Sequence, residues 1–192
     1  MAGKQAKILS DQDISALIRT TRFSRHPIRN KVIVLLSVKA GLRASEISKL
    51  TWEMVLTASG KVGNIIELQN CAAKKGHGRG IPIHPDLKQA LVKLQSGSDS
   101  SSGPVARSER GGRMTAMSVV NWFAAAYREL QLNGCSSHSG RRTFVTRAAR
   151  LAHKAGGSLR DVQLLAGHRS IQTTQGYIDG DSDAQRRLVS LI

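Results

Sequence analysis

The sequence predicts a mostly helical α+β domain with a small three-stranded antiparallel sheet, and three observations carry that class. Apolar residues recur at helical spacing through most of the 192-residue chain, behind residues that cap helices. The period shortens only between Trp52 and Ile83, where three β-compatible runs are separated by turn-forming segments. A chain of this length also buries roughly 70% of the surface its unfolded form exposes, so a packed core is available.

In order, Ser10-Asp11-Gln12-Asp13 is a cap-like start for a helix to about Thr20, with Ile14, Leu17 and Ile18 on its apolar face. Pro27 suits the first turn of a second helix carrying Ile28, Val32, Val34, Leu35, Leu36 and Val38 up to Gly41. Gly41 to Leu50 reads as a turn into a third, short helix. It sets Arg43 and Glu46 three apart on one face, where a surface ion pair is the plain reading from spacing. Trp52–Thr57, Ile65–Gln69 and Arg79–Ile83 make the predicted sheet, and the turn before the last run carries Lys74 and Lys75.

Leu87, Ala90, Leu91 and Leu94 mark a helix from Pro85. Residues 96–113 read as a flexible loop, opened by SGSDSSSG, which offers nothing to bury. Thr115 starts a long helix to about Leu130 that turns Val119, Val120, Trp122, Phe123 and Tyr127 toward the core. Ser136 or Ser137 caps the next, which begins with His138, bears Arg141, Arg142, Arg147 and Arg150, and runs to about Lys154 before Gly156-Gly157. Ser158-Leu159-Arg160-Asp161 starts another that stops at Gly167, and Ser170 caps a last short helix leading to Tyr177. Residues 179–192 form a C-terminal tail, weakly amphipathic from Asp183 to Ile192, whose Leu188, Val189, Leu191 and Ile192 are able to pack elsewhere, including on a neighbouring subunit.

Lys and Arg number 29 against 13 Asp and Glu, a net charge of +16 spread along the chain. Such a field attracts polyanions, and each neutralised phosphate of duplex DNA steepens the salt dependence of binding by about 0.9 log units per log unit of salt. A merely basic structural protein has the same balance, so charge alone does not decide. Cys71 and Cys135 lie far apart with no zinc-type spacing, and read as reduced thiols. With no signal-like segment and no long apolar run, a cytoplasmic, nucleoid-associated location and no membrane partner are expected.

His138 and Arg141, three apart on one helix face, can address one small anion, read as a DNA phosphate. Cutting a phosphodiester without a metal takes an in-line nucleophile, cationic donors around phosphorus and a proton for the leaving alkoxide. The chain offers all three, and it has neither an Asp/Glu cluster typical of two-metal sites nor a Walker loop, so no metal and no cofactor are expected. Tyrosine suits covalent catalysis, because its phosphate ester conserves the energy of the broken bond for rejoining.

Four motifs in order, Gly41-Leu42-Arg43-x-Ser45-Glu46, a turn lysine before Arg79-x-Ile81-Pro82-Ile83, His138-x-x-Arg141-Arg142-Thr143, and Leu165-Ala166-Gly167-His168 followed by Tyr177, resemble the catalytic domain of the tyrosine recombinases, the phage-integrase family. The match covers about residues 10 to 180. The resemblance implies that Arg43 and Arg141 clamp the scissile phosphate, that His168 adds a third hydrogen bond, and that Glu46 supports this shell. His138 is implied to accept or relay the proton of Tyr177, the nucleophile that forms a 3′-phosphotyrosyl link. Lys74 is implied to protonate the leaving 5′-oxygen, favoured over Lys75 by one residue in the count back from Pro82. Lys75, Arg79, Arg142 and Arg147 are expected to contact DNA.

Two departures from the family stand out. Only a few residues precede the first helix, where most members carry an N-terminal core-binding domain, so residues 1–192 read as one catalytic domain without it, a short member or a fragment. Gly140 stands where an apolar residue is common, which predicts local flexibility and intact chemistry. Expected partners are duplex DNA, other protomers on paired sites, and accessory DNA-bending proteins. The rival readings are a DNA-binding regulator on the same fold and a type IB topoisomerase-like activity.

Overall fold

Pro27 in the first turn and Gly41 just past the last make the second helix the axis of the fold. The structure, a computed structural model, describes residues 6–73, 78–97, 102–177, 189–190 and 192. The chain falls into two compact units, Met1–Phe144 and Val145–Ile192.

In the first unit, α1 (Asp11–Thr21) is fixed by a capping box in which the Ser10 hydroxyl accepts from the Asp13 N–H and the Asp13 carboxylate accepts from the Ser10 N–H. The second helix, α2 (Pro27–Ala40), is apolar almost all round, and Val32 to Leu36, Val38 and Ala40 are buried. Such a helix is stable only when covered on several sides. α1, α3 (Ala44–Lys49) and α4 (Pro85–Ser96) pack on it, and α5 (Ala116–Glu129) packs on α1 and α3. Phe123 of α5 packs edge-on to Trp122 and stacks on Tyr127, closing the core with large aromatic area.

The sheet has two described strands where the sequence predicts three. β1 (Ile65–Leu68) and β2 (Arg79–Pro82) pair antiparallel, Ile66 opposite Ile81 and Leu68 opposite Arg79, with Ile66, Leu68 and Ile81 buried. The Trp52–Thr57 run becomes a 3₁₀ turn over Trp52–Met54 followed by a single bridge from Leu56 to Val62. The cause is burial: Met54 and Val55 are consecutive and both inside, whereas a strand sends neighbours to opposite faces. Residues 104–113 also depart from the expected loop. Thr51 pairs with Pro104, the Val105 N–H bonds the Leu50 carbonyl at 3.0 Å, and Val105 and Ala106 join the core. Residues 98–101 of that stretch lie outside the described residues.

The last helix of this unit, α6 (Ser139–Leu151), carries the unit boundary within it. Thr143 ties its first turns to the chain entry, accepting from the Leu9 N–H at 2.8 Å. Gly140 is a contact point and not a flexible spot: a Cβ there would meet the Ser37 hydroxyl and sit 2.9 Å from the Ser37 Cβ, so α6 and α2 touch backbone to side chain. In the second unit, α7 (Leu159–Ala166) and α8 (Ile171–Gln175) pack together, and Val145, Val162 and Ala166 are buried. Among the described residues no helix is long and apolar enough to cross a membrane.

Candidate active site

The first unit assembles its arginines around one turn. Gly41 ends α2 in the left-handed region at φ 65°, and the Gly41 and Leu42 N–H groups both return to the Leu36 carbonyl. A side chain at 41 would also strike the Phe144 ring, 2.9 Å from Cε1, so glycine is required twice over. The same residue's carbonyl accepts from Nη1 of the buried Arg141 at 2.7 Å, and Arg43 follows two residues later as the N-cap of α3. One turn thus receives Arg141 and launches Arg43.

Glu46, at the third position of α3, accepts the Arg43 N–H on Oε2 at 3.0 Å, half of a capping box in which the guanidinium cannot reciprocate because it has no acceptor. Its Oε1 accepts from Arg43 Nη1 at 2.9 Å. Arg79 forks onto the same carboxylate, Nη1 to Oε1 and Nη2 to Oε2, both at 3.1 Å. Side-chain exposure is nil for Glu46, 8% for Arg79 and 20% for Arg43, so the pair read as a surface feature is a buried triad. Burial alone raises the Glu46 carboxyl. The Arg79 hydrogen bonds and charge, with those of Arg43, outweigh it and hold the group at about 2. The guanidinium of Arg79, expected on DNA, is therefore occupied inside the protein.

At the start of α6, His138 is exposed on the turn just before the first helical residue, its N–H donating to the Ser136 hydroxyl at 3.3 Å and its carbonyl accepting the Arg142 N–H at 2.8 Å. Arg142 is half-buried, with an Nε that has no hydrogen-bond partner among the described residues. Lys74 and Lys75 lie outside the described residues, as does the tail from 178 to 188.

The second unit holds His168 and Tyr177, with Arg147 half-buried on the α6 segment. The α7 capping box pairs Ser158 with Asp161, and Gly167 closes the helix at φ 62°, its left-handed turn delivering His168. Three contacts then fix the histidine. Its N–H bonds the Gln163 carbonyl at 3.1 Å, its carbonyl accepts from Gln163 Nε2 at 3.0 Å, and its Nδ1 lies 3.0 Å from the hydroxyl of the fully buried Thr174. The Nδ1 contact with Thr174 sets the orientation of the ring. The Tyr177 ring stacks on the imidazole with centroids 5.3 Å apart, and the Tyr177 carbonyl accepts from Thr146 at 3.3 Å. Gln163, Thr174 and Thr146 escaped the sequence reading because a buried polar residue leaves no periodic signal.

Solved structures share this architecture. Aligned on XerA recombinase, 96% of the chain and 64% of that protein superpose with a TM-score of 0.74 at 22% identity. On XerH site-specific recombinase bound to palindromic difH substrate, the values are 99%, 54%, 0.75 and 16%. The fold is thus one shared with DNA recombinases.

The model of the phage integrase family matches residues 7–183, and the chain belongs to that family. Among curated relatives, tyrosine recombinase XerC of Pelobacter propionicus is 26% identical over 170 residues, 87% of this chain and 53% of its own. The XerC of Roseiflexus sp. (strain RS-1) is 30% identical over 168 residues, 82% and 50%. The chain spans about half the length of the curated relatives it matches.

Proposed function

We propose that this chain supplies the catalytic domain of a site-specific DNA recombinase that cuts and rejoins strands through Tyr177, its two compact units acting as one domain. The stacking of the Tyr177 ring on His168 is the observation that carries the reading, since it puts a candidate nucleophile beside a candidate phosphate donor within a family of strand-transfer proteins. In the reaction, the Tyr177 hydroxyl oxygen bonds to phosphorus as the bond to the sugar 5′-oxygen breaks. The phenolic proton passes to His138, and Lys74 protonates the departing 5′-oxygen. Arg43, Arg141 and His168 hold the negative charge that grows on the non-bridging oxygens, the term that preorganised donors lower most. Glu46 supports Arg43, and reversal of the steps on a new 5′-hydroxyl completes the exchange.

Lys75, Arg142 and Arg147 are assigned to the DNA backbone, where each neutralised phosphate adds to the salt dependence of binding. Protomers act in sets on paired duplex sites, with the tail beyond Tyr177 as the docking segment and DNA-bending proteins as helpers. The test is a library of nicked duplexes, from which the broken strand diffuses away after attack. Wild-type protein forms a covalent adduct resistant to denaturant and Tyr177→Phe forms none. An adduct with the phenylalanine variant overturns the assignment, and relaxation of plasmids lacking the trapped sequence moves the reading to a topoisomerase.

A further inference from the structure

We propose that Arg79 is a positioning residue for Arg43, working through Glu46 instead of contacting DNA; this rests on the recombinase reading above. Four donors meet on the two oxygens of Glu46, and each oxygen accepts one bond from Arg43 and one from Arg79. The graded exposure gives the direction of the arrangement: the carboxylate is sealed, Arg79 nearly so, and Arg43 is the member that reaches outward. Arg79 is also placed independently of the residues it holds. It opens β2, opposite Leu68 in the ladder, so the sheet and not α3 fixes its backbone.

The charge balance gives this arrangement a purpose. A carboxylate paired with Arg43 alone cancels the charge that a phosphate needs to meet, and can follow Arg43 outward. A second guanidinium, bidentate and rigid, shares the carboxylate and anchors it, so the cluster keeps a net positive charge and Arg43 keeps a fixed direction. Lysine cannot reproduce this, because it offers a point charge where the fork spans both oxygens.

The experiment compares wild type, Arg79→Gln, Arg79→Lys, Glu46→Gln and the double variant Glu46→Gln/Arg79→Gln. Adduct formation on saturating nicked duplex gives the rate, and gel shifts at two salt concentrations give affinity and salt slope. Expected are a rate roughly tenfold or more lower for Arg79→Gln, partial recovery in Arg79→Lys, and a double variant no slower than Arg79→Gln, because residues acting through each other are not additive. Affinity stays within about threefold and the salt slope is unchanged, as no phosphate contact is removed.

A shallower salt slope, or losses that multiply in the double variant, overturns the proposal in favour of a direct DNA contact. The double variant removes the two most deeply buried charges together, leaving only the outward-reaching Arg43, and stands in should Arg79→Gln fail to fold. The guanidinium proton signals of Arg43 in NMR, slowly exchanging in wild type and averaged in Arg79→Gln, report the positioning without any reaction. Unchanged signals sink the proposal, whereas a wild type that forms no adduct but shows this change sinks only the recombinase reading.

Discussion

The two units hold their candidate groups by different physics. In Met1–Phe144, Arg43 and Arg141 are fixed by charge and contact: a buried carboxylate, a carbonyl in a left-handed turn, and helices that touch at a glycine, all backed by a broad apolar core. In Val145–Ile192, the buried apolar residues among those described are Val145, Val162 and Ala166, and His168 and Tyr177 are held by hydrogen bonds, helix caps and a ring stack. A group that must bind developing charge gains from rigid electrostatics. A nucleophile that must reach, bond and let go gains from an anchor of modest strength, and regions with few buried apolar contacts open most readily.

The contrast is broken most sharply at Glu46. Glu46→Ala leaves two guanidiniums facing each other around a sealed gap, and thermal or urea unfolding should show a loss of about 3–5 kcal/mol. The same group makes the first unit acid-sensitive. Its carboxyl falls from an ordinary value of 4.5 to about 2 on folding, so its contribution is complete above about pH 4.5 and disappears as pH drops toward 2. Glu46→Gln should flatten stability over that window, and an unaltered acid limb would contradict the buried-triad picture.

Gly140→Ala comes next, with overpacking against Ser37 expected to cost about 1–3 kcal/mol. The Ser37 hydroxyl is buried with no hydrogen-bond partner among the described residues. Ser37→Ala should therefore be neutral or stabilising alone and recover part of the Gly140→Ala loss; additive losses in the double variant would contradict the contact. The smallest effect on stability belongs to the second unit. Thr174→Val should cost about 1 kcal/mol by removing the His168 Nδ1 partner. It should slow adduct formation more than it weakens DNA binding, and equal losses in both would assign Thr174 to packing alone.

The helices were legible in the sequence because each is punctuated locally: Ser10 with Asp13, Pro27 with Gly41, Ser158 with Asp161 and Gly167 are starts and stops that act within one turn. Arg43 and Glu46 were legible as neighbours for the same reason. Their third partner was not, since Arg79 lies 33 positions from Glu46 and only the hairpin brings it there. The predicted strand at Trp52 failed because its β-rich composition was outweighed by the need to bury Met54 and Val55 together. Gly140 was misread because backbone freedom is a property of the residue, whereas the space it leaves is a property of the helix opposite.

That space acts as a ruler. Where α6 meets α2, the interval between helices is set by the absence of a single carbon, one residue before Arg141. Such a gauge has no finer marks: nothing smaller than hydrogen can stand at 140, and anything larger displaces the guanidinium that follows. Position 140 can then gain bulk only where position 37 surrenders it, and bulk gained at 37 has nothing to exchange for it at 140.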